Sequence, residues 1–274
     1  MPDISAPTLP CAPVAALHAS ASGPRQWAAL EQSLSPRVAV LAPDLTGYGG
    51  EPGEADGLAG LDRRAMRVIR LIEQTGRAAH LVGHSFGGAI AVRIAVTRPD
   101  LVRSLTLYEP AVIGLLRNSK SAADQRAFMR FQAAGGRLLA ALASVEPAAG
   151  VAPLIDFWNG DGAWARLDRQ VKERLCATAG DLMQDFVDSL GEPSTPTGLR
   201  RIEMPVMVLS GARSPEFARR LAARFAAAVP TARHHEIQGV GHMAPVDAPA
   251  RVNARICAHI AACAAWDGAS TIAA

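Results

Sequence analysis

The chain has 274 residues, of which 49% are hydrophobic and 19% charged, a balance that excludes an intrinsically disordered chain and suits one large α/β domain or one domain with an insertion. No apolar run reaches the roughly 18 residues of a membrane helix. The 28 basic residues against 25 acidic ones lie singly (Arg93, Arg98, Arg103) or in pairs (Arg63-Arg64, Arg200-Arg201, Arg219-Arg220), so the clustering a nucleic-acid partner requires is missing.

In chain order, Val14 to Leu17 reads as the first strand, followed by the small-residue loop His18-Ala19-Ser20-Ala21-Ser22-Gly23. A helix is expected from Pro24, with Trp27, Leu30 and Leu34 at helical spacing and Pro36 as its stop. The run Val38 to Leu41 has the pattern of a strand buried on both faces, and apolar residues from Leu58 to Ile72 recur on one face of a helix. Ala79 to Val82 is a strand, Gly83 to Gly88 a sharp turn, Ala89 to Val96 a helix, and Ser104 to Tyr108 a strand ending at Glu109-Pro110. Strands alternating with helices imply a parallel sheet covered on both faces.

That rhythm stops at Ala111. Up to about Arg201 there are only helical stretches (Ala122 to Leu142, Ala163 to Leu190), separated by Pro147, Pro153 and the turn Trp158-Asn159-Gly160-Asp161-Gly162. We read residues 111–201 as a helical lid inserted into a core made of 1–110 and 202–274. The core pattern resumes with the strand Pro205 to Gly211, the helix Pro215 to Val229, the strand Arg233 to Ile237, the loop Gly239-Val240-Gly241-His242-Met243, and a last helix from Pro249 to about Ala265.

Gly83-His84-Ser85-Phe86-Gly87 matches G-x-S-x-G between an expected strand and an expected helix. A strained strand-to-helix turn needs small neighbours, and it presents the serine Oγ at the carboxyl edge of the sheet, where the helix N-terminus favours developing negative charge. His242, in a glycine-bearing loop after the last strand, can shuttle the serine proton. Glu109 leaves the strand next to the one that carries Ser85, at the same edge. Glu216 and Asp44 are the alternative acids; chain order fits Glu216 as well, but Glu216 opens a helix, where an acid already serves the dipole. The Phe86 backbone N–H is one expected oxyanion donor. His84 reads as a packing residue of the turn, and His234 and His235 alternate sides of a strand.

Four segments together resemble the α/β-hydrolase superfamily, in the lid-bearing form of small bacterial serine esterases: Leu17-His18, Pro43-Asp44-Leu45-x-Gly47-x-Gly49, Gly83 to Gly88, and Gly239-x-Gly241-His242-Met243. The resemblance implies a mostly parallel doubly wound sheet, with Ser85 as nucleophile, His242 as base and Ser20 as the second oxyanion donor. The common acid position after the strand Val206 to Leu209 holds Ser214 here, and a branch of the superfamily that includes some haloalkane dehalogenases is similar in placing its acid where Glu109 stands. His18, Phe157, Trp158 and Trp164 are the candidate substrate-binding residues; the three lid aromatics could equally pack the lid on the core. Only thirteen residues precede Val14, so the sheet is expected to be short at that edge, which a second copy of the chain could cover.

The expected activity is that of a carboxylesterase on small or medium apolar esters or lactones, through an acyl-enzyme. Acyl transfer, perhydrolysis and carbon–carbon bond hydrolysis use the same triad, and a non-catalytic ligand receptor can share the fold. No cofactor and no metal is expected, because the seven histidines lack partners at ligand spacing. Cys11, Cys176, Cys257 and Cys263 show no C-x-x-C spacing, and the N-terminal stretch lacks the pattern of a secretory signal, so a cytoplasmic chain with a small-molecule substrate and no membrane partner is expected.

Overall fold

In the computed structural model, which describes residues 11–34, 36, 38–45, 60–144 and 146–263, six strands form one sheet in the order β2-β1-β3-β4-β5-β6. They are β1 (Val14–Leu17), β2 (Val40–Leu41), β3 (Ala79–His84), β4 (Val102–Tyr108), β5 (Val206–Gly211) and β6 (Ala232–Ile237), every neighbouring pair parallel. The core helices are α1 (Ala28–Leu34, entered through a 3-10 turn at Pro24–Trp27), α2 (Gly60–Gln74) and α3 (Phe86–Thr97).

Between β4 and β5 the described residues form helices and no strand: α4 (Gly114–Arg117), α5 (Ala122–Ala143), α6 (Pro147–Asn159), α7 (Ala163–Arg166), α8 (Arg169–Ala177), α9 (Ala179–Leu190) and α10 (Pro196–Leu199). After β5 come α11 (Glu216–Ala228), α12 (Ala244–Asp247) and α13 (Pro249–Cys263).

The period of two along each strand divides the core. Ala15, Leu17, Leu81, Leu105, Val206 and Val208 pack with α2, α3 and α11. Val14, Ala16, Val82, Met207 and Leu209 pack on the other face with Trp27, Leu30 and the α13 residues Val252, Ile256 and Ile260. With both faces covered, β1 and β5 read as near-continuous apolar runs, while β3 and β4 bury polar residues such as His80, Ser104 and Thr106 as well.

Several expected boundaries differ. The strand expected over 38–41 is two residues long and half-buried, and among the described residues it lies at the edge of the sheet, paired with β1 alone. Pro153 does not separate helices; it lies inside α6, where its ring removes one backbone hydrogen bond without ending the helix. Trp158 and Asn159 belong to that helix, and the reversal is made by Gly160 and Gly162, both with positive φ. The stretch from 163 to 190 is three helices rather than one. The expected helix start at Leu58, the Gly47 and Gly49 of the second motif, and the last helix beyond Cys263 lie outside the described residues.

Two ion clusters, the first buried and the second with only its aspartate buried, tie the helices between β4 and β5 to the core. Arg64 of α2 pairs with Asp185 and Asp188 of α9 at 2.9 and 3.1 Å. Asp124 of α5 pairs with Arg220 and Arg224 of α11 at 3.1 and 2.7 Å. A second small core of Ala134, Leu138, Val151, Leu154, Ala179 and Leu182 holds α5, α6 and α9 together.

Candidate active site

β3 ends at His84 and α3 begins at Phe86, so the whole reversal falls on Ser85, at φ 52° and ψ −117°. Three backbone bonds keep it there. Its N–H donates to Tyr108 O at 3.0 Å, and its carbonyl accepts from Ala89 and Ala111 at 3.1 and 2.9 Å. The flanking glycines act through space: a Cβ on Gly87 would lie 2.4 Å from His18 O, and one on Gly83 2.7 Å from the Gly88 Cα. Among the described residues the non-glycines with positive φ are Ala21, Ser85 and Glu109. Each such residue costs about 1–3 kcal/mol and persists where its surroundings over-determine it. Two of the three are expected site residues, and the third follows Ser20.

The structure brings Ser85, His242 and Glu109 together. His242 Nδ1 lies 2.6 Å from Glu109 Oε2, and His242 Nε2 lies 3.2 Å from Ser85 Oγ. The consistent assignment is Nδ1–H donating to the carboxylate, with Nε2 bare to accept the serine hydroxyl. The other Glu109 oxygen accepts the Gly211 N–H at 2.8 Å, which locks the carboxylate across the ends of β4 and β5. All three residues are buried, at 6%, 4% and 1% exposure for Ser85, His242 and Glu109. Of the alternative acids, Glu216 is 56% exposed and pairs with Arg220 at 2.7 Å. Asp44 lies beside Gly23, and Ser214 is buried at the position the family commonly gives its acid.

Phe86 is the first residue of α3, so its N–H is among those a helix leaves without an intrahelical acceptor. Ser20 sits in the turn after β1, closed by a bond from Ser22 N–H to Ala19 O at 3.2 Å. Gly87 packs directly on the carbonyls of Leu17 and His18, which brings the turn after β1 and the start of α3 into contact.

The candidate substrate-binding residues separate. His18 is fully buried: its Nδ1–H donates to Ala19 O at 2.8 Å and its Nε2 accepts the Leu45 N–H at 3.1 Å. Burial holds its pKa below the ordinary value, and both ring nitrogens bond backbone groups, so the ring ties two loops together. Trp158 stacks on His242, ring centroids 4.7 Å apart. Phe157 is one ring further out, packed edge-on against Trp158 and Phe217 at 5.4 and 5.2 Å. Trp164 packs into the small core of the inserted helices, with Lys172 Nζ 5.8 Å from its ring.

Phe131 and Phe217 complete the aromatic wall, stacked at 5.0 Å. Sequence reasoning missed both, since each reads as an ordinary apolar position of its helix. Outside that wall a cavity of about 270 Å³ is lined by Ala127, Arg130, Phe157, Pro215 and Phe217. Among the described residues no three His, Cys, Asp or Glu side chains converge as a metal site would require. No helix among them is long and apolar enough to cross a membrane.

Residues 14–255 match the model of the alpha/beta hydrolase family. The chain is 37% identical over 100 residues to Lipase LipV of Mycobacterium tuberculosis, covering 36% of this chain and 37% of that protein. It is 39% identical over 87 residues to the dihydrolipoyllysine-residue acetyltransferase component of the acetoin cleaving system of Cupriavidus necator, covering 31% of this chain and 23% of that protein. The chain thus spans well under half the length of these relatives. In fold it is similar to MenH from S. aureus, with a TM-score of 0.73 and 18% identity over 92% of this chain and 94% of that one.

Proposed function

The chain belongs to the alpha/beta hydrolase family, and from that premise we propose that it is a serine hydrolase cleaving small to medium apolar carboxylic esters or lactones through an acyl-enzyme. The observation that carries this reading is the unbroken line from Glu109 Oε2 to His242 Nδ1 at 2.6 Å and from His242 Nε2 to Ser85 Oγ at 3.2 Å. His242 takes the serine proton as Oγ attacks the carbonyl, and the buried Glu109 carboxylate holds the imidazole tautomer and stabilises the imidazolium. The backbone N–H groups of Phe86 and Ser20 receive the oxyanion. His242 then protonates the departing alcohol, and water repeats the sequence on the acyl-serine. A serine at position 85, where an aspartate would form an alkyl ester, fits acyl transfer.

The helices of residues 111–201 act as the lid, with Trp158 over the base and the ring cluster of Phe131, Phe157 and Phe217 as the apolar wall. Four unpaired cysteines suit a reducing compartment such as the cytoplasm. A second reading, transfer of the acyl group to an acceptor other than water, draws on the depth of Ser85, 6% exposed beneath the Trp158–His242 stack. Intact-mass analysis during turnover of 4-nitrophenyl butyrate tests the first reading: a butyryl adduct on Ser85 that decays in water supports it, whereas an adduct that decays only when an alcohol or thiol acceptor is added favours transfer.

A further inference from the structure

His242 stands in a loop whose glycines leave the backbone free: Gly239 has φ 71° and Gly241 precedes the histidine directly. Its position is set by three successive carbonyls, each gripped from the end of a different strand. Val240 O accepts the Arg213 N–H just beyond β5 at 2.9 Å. Gly241 O accepts the Tyr108 hydroxyl, at the end of β4, at 2.7 Å. His242 O accepts Nε2–H of His84, at the end of β3, at 2.9 Å. These strands are adjacent in the sheet, so the loop is laid across the same edge that carries Ser85 and Glu109.

The two side-chain donors are built for this. Their rings meet edge-to-face at 5.6 Å, fully enclosed by protein. His84 donates through Nε2, which leaves Nδ1 bare, and that atom is buried with no hydrogen-bond partner. The ring is therefore neutral, as its surroundings require: burial first, then His242 and His18, hold its pKa well below the ordinary value. A neutral His84, its ring centroid 5.0 Å from that of His242, does not oppose the imidazolium that forms there during catalysis.

We propose that His84 and Tyr108 are positioning residues that hold the main chain of residues 241 and 242, and thereby fix the His242 imidazole between Glu109 and Ser85. This rests on the serine-hydrolase reading and gives the variable second residue of Gly83-His84-Ser85-Phe86-Gly87 a task beyond packing. A misplacement of about 1 Å in such a group can cost on the order of a hundredfold in rate.

The test uses Tyr108→Phe, His84→Leu and His84→Gln in the full chain, with two readouts: kcat and KM for 4-nitrophenyl butyrate, and the downfield proton resonance of His242 Nδ1–H. Tyr108→Phe and His84→Leu are expected to lower kcat about tenfold or more with KM within about twofold, and to broaden the resonance through faster exchange. His84→Gln, which returns an amide donor near Nε2, is expected to recover most of both. Tyr108→Phe alters one hydroxyl only and stands alone if His84→Leu does not fold. A kcat within about twofold of wild type in the folded variants, with a sharp resonance, overturns the proposal. Should the wild type turn over no ester, the hydrolase reading falls, and the resonance in the variants alone decides whether the clamp exists.

Discussion

Trp158 lies over His242 with ring centroids 4.7 Å apart and planes inclined by 23°. A helix of the segment between β4 and β5 thus reaches the imidazole that bonds both Ser85 and Glu109, and in the proposed mechanism it covers the face a substrate would approach. For a bulky ester, Trp158 must move or leave room. Replacing it with alanine removes the obstacle and part of the apolar wall together. In Trp158→Ala, kcat/KM for 4-nitrophenyl decanoate is expected to rise at least severalfold relative to that for the acetate; steady-state kinetics with the two esters measures it, and an unchanged ratio would remove Trp158 from the access route.

Glu109 and Glu216 offer a direct contrast between a buried carboxylate bonded to His242 and an exposed one paired with Arg220. Glu109→Gln keeps the shape but loses the charge that stabilises imidazolium, and is expected to lower kcat by about 10³–10⁴. Glu216→Gln is expected to leave kcat within about twofold, since an exposed ion pair contributes little. The reverse ranking would move the acid to the segment after β5.

Part of the pH dependence of stability lies on the sheet face that packs on α13. His80 bonds Ser104 and His259 bonds Thr106, at 2.7 and 2.8 Å. Burial, then Arg103, pulls the His80 pKa down to about 4; burial, then Arg233, does the same for His259. In the unfolded chain both take up protons near pH 6.5. Between pH 6.5 and about 4 the unfolded state therefore binds more protons, and these groups contribute stability at pH 7 that is lost as pH falls through that window. Urea midpoints are expected to drop between pH 7 and pH 5, and to drop less in His80→Asn; equal slopes would assign the acid sensitivity elsewhere.

The sheet and the meeting of Ser85, Glu109 and His242 at one edge of it were legible because their signals are local. Ser85 is bracketed by glycines between a strand and a helix, Glu109 stops an apolar strand, and His242 follows a short strand in a glycine loop. What escaped depends on three-dimensional neighbours. Val38 and Ala39 carry strand composition, but β1 is in register with Val40 and Leu41, and Ala39 adds only its carbonyl, which accepts the Val14 N–H at 2.9 Å. Pro153 looks like a helix stop, yet α6 packs well enough on α5 and its small core to carry it. The bonds of both His18 ring nitrogens to the backbone of Ala19 and Leu45 could not be read from its place after β1. That Trp158, rather than Trp164, reaches His242 follows from how α6 is seated on the core, which no spacing in the sequence encodes.

The central claim is that Ser85 is an activated nucleophile, and labelling with a fluorophosphonate probe tests it without knowledge of the substrate. The expected result is covalent labelling of the folded wild type, no labelling of Ser85→Ala, and greatly slowed labelling of Glu109→Gln. Labelling that persists in Ser85→Ala, or a folded wild type that stays unlabelled, would contradict it and bring forward a ligand receptor built on the hydrolase fold.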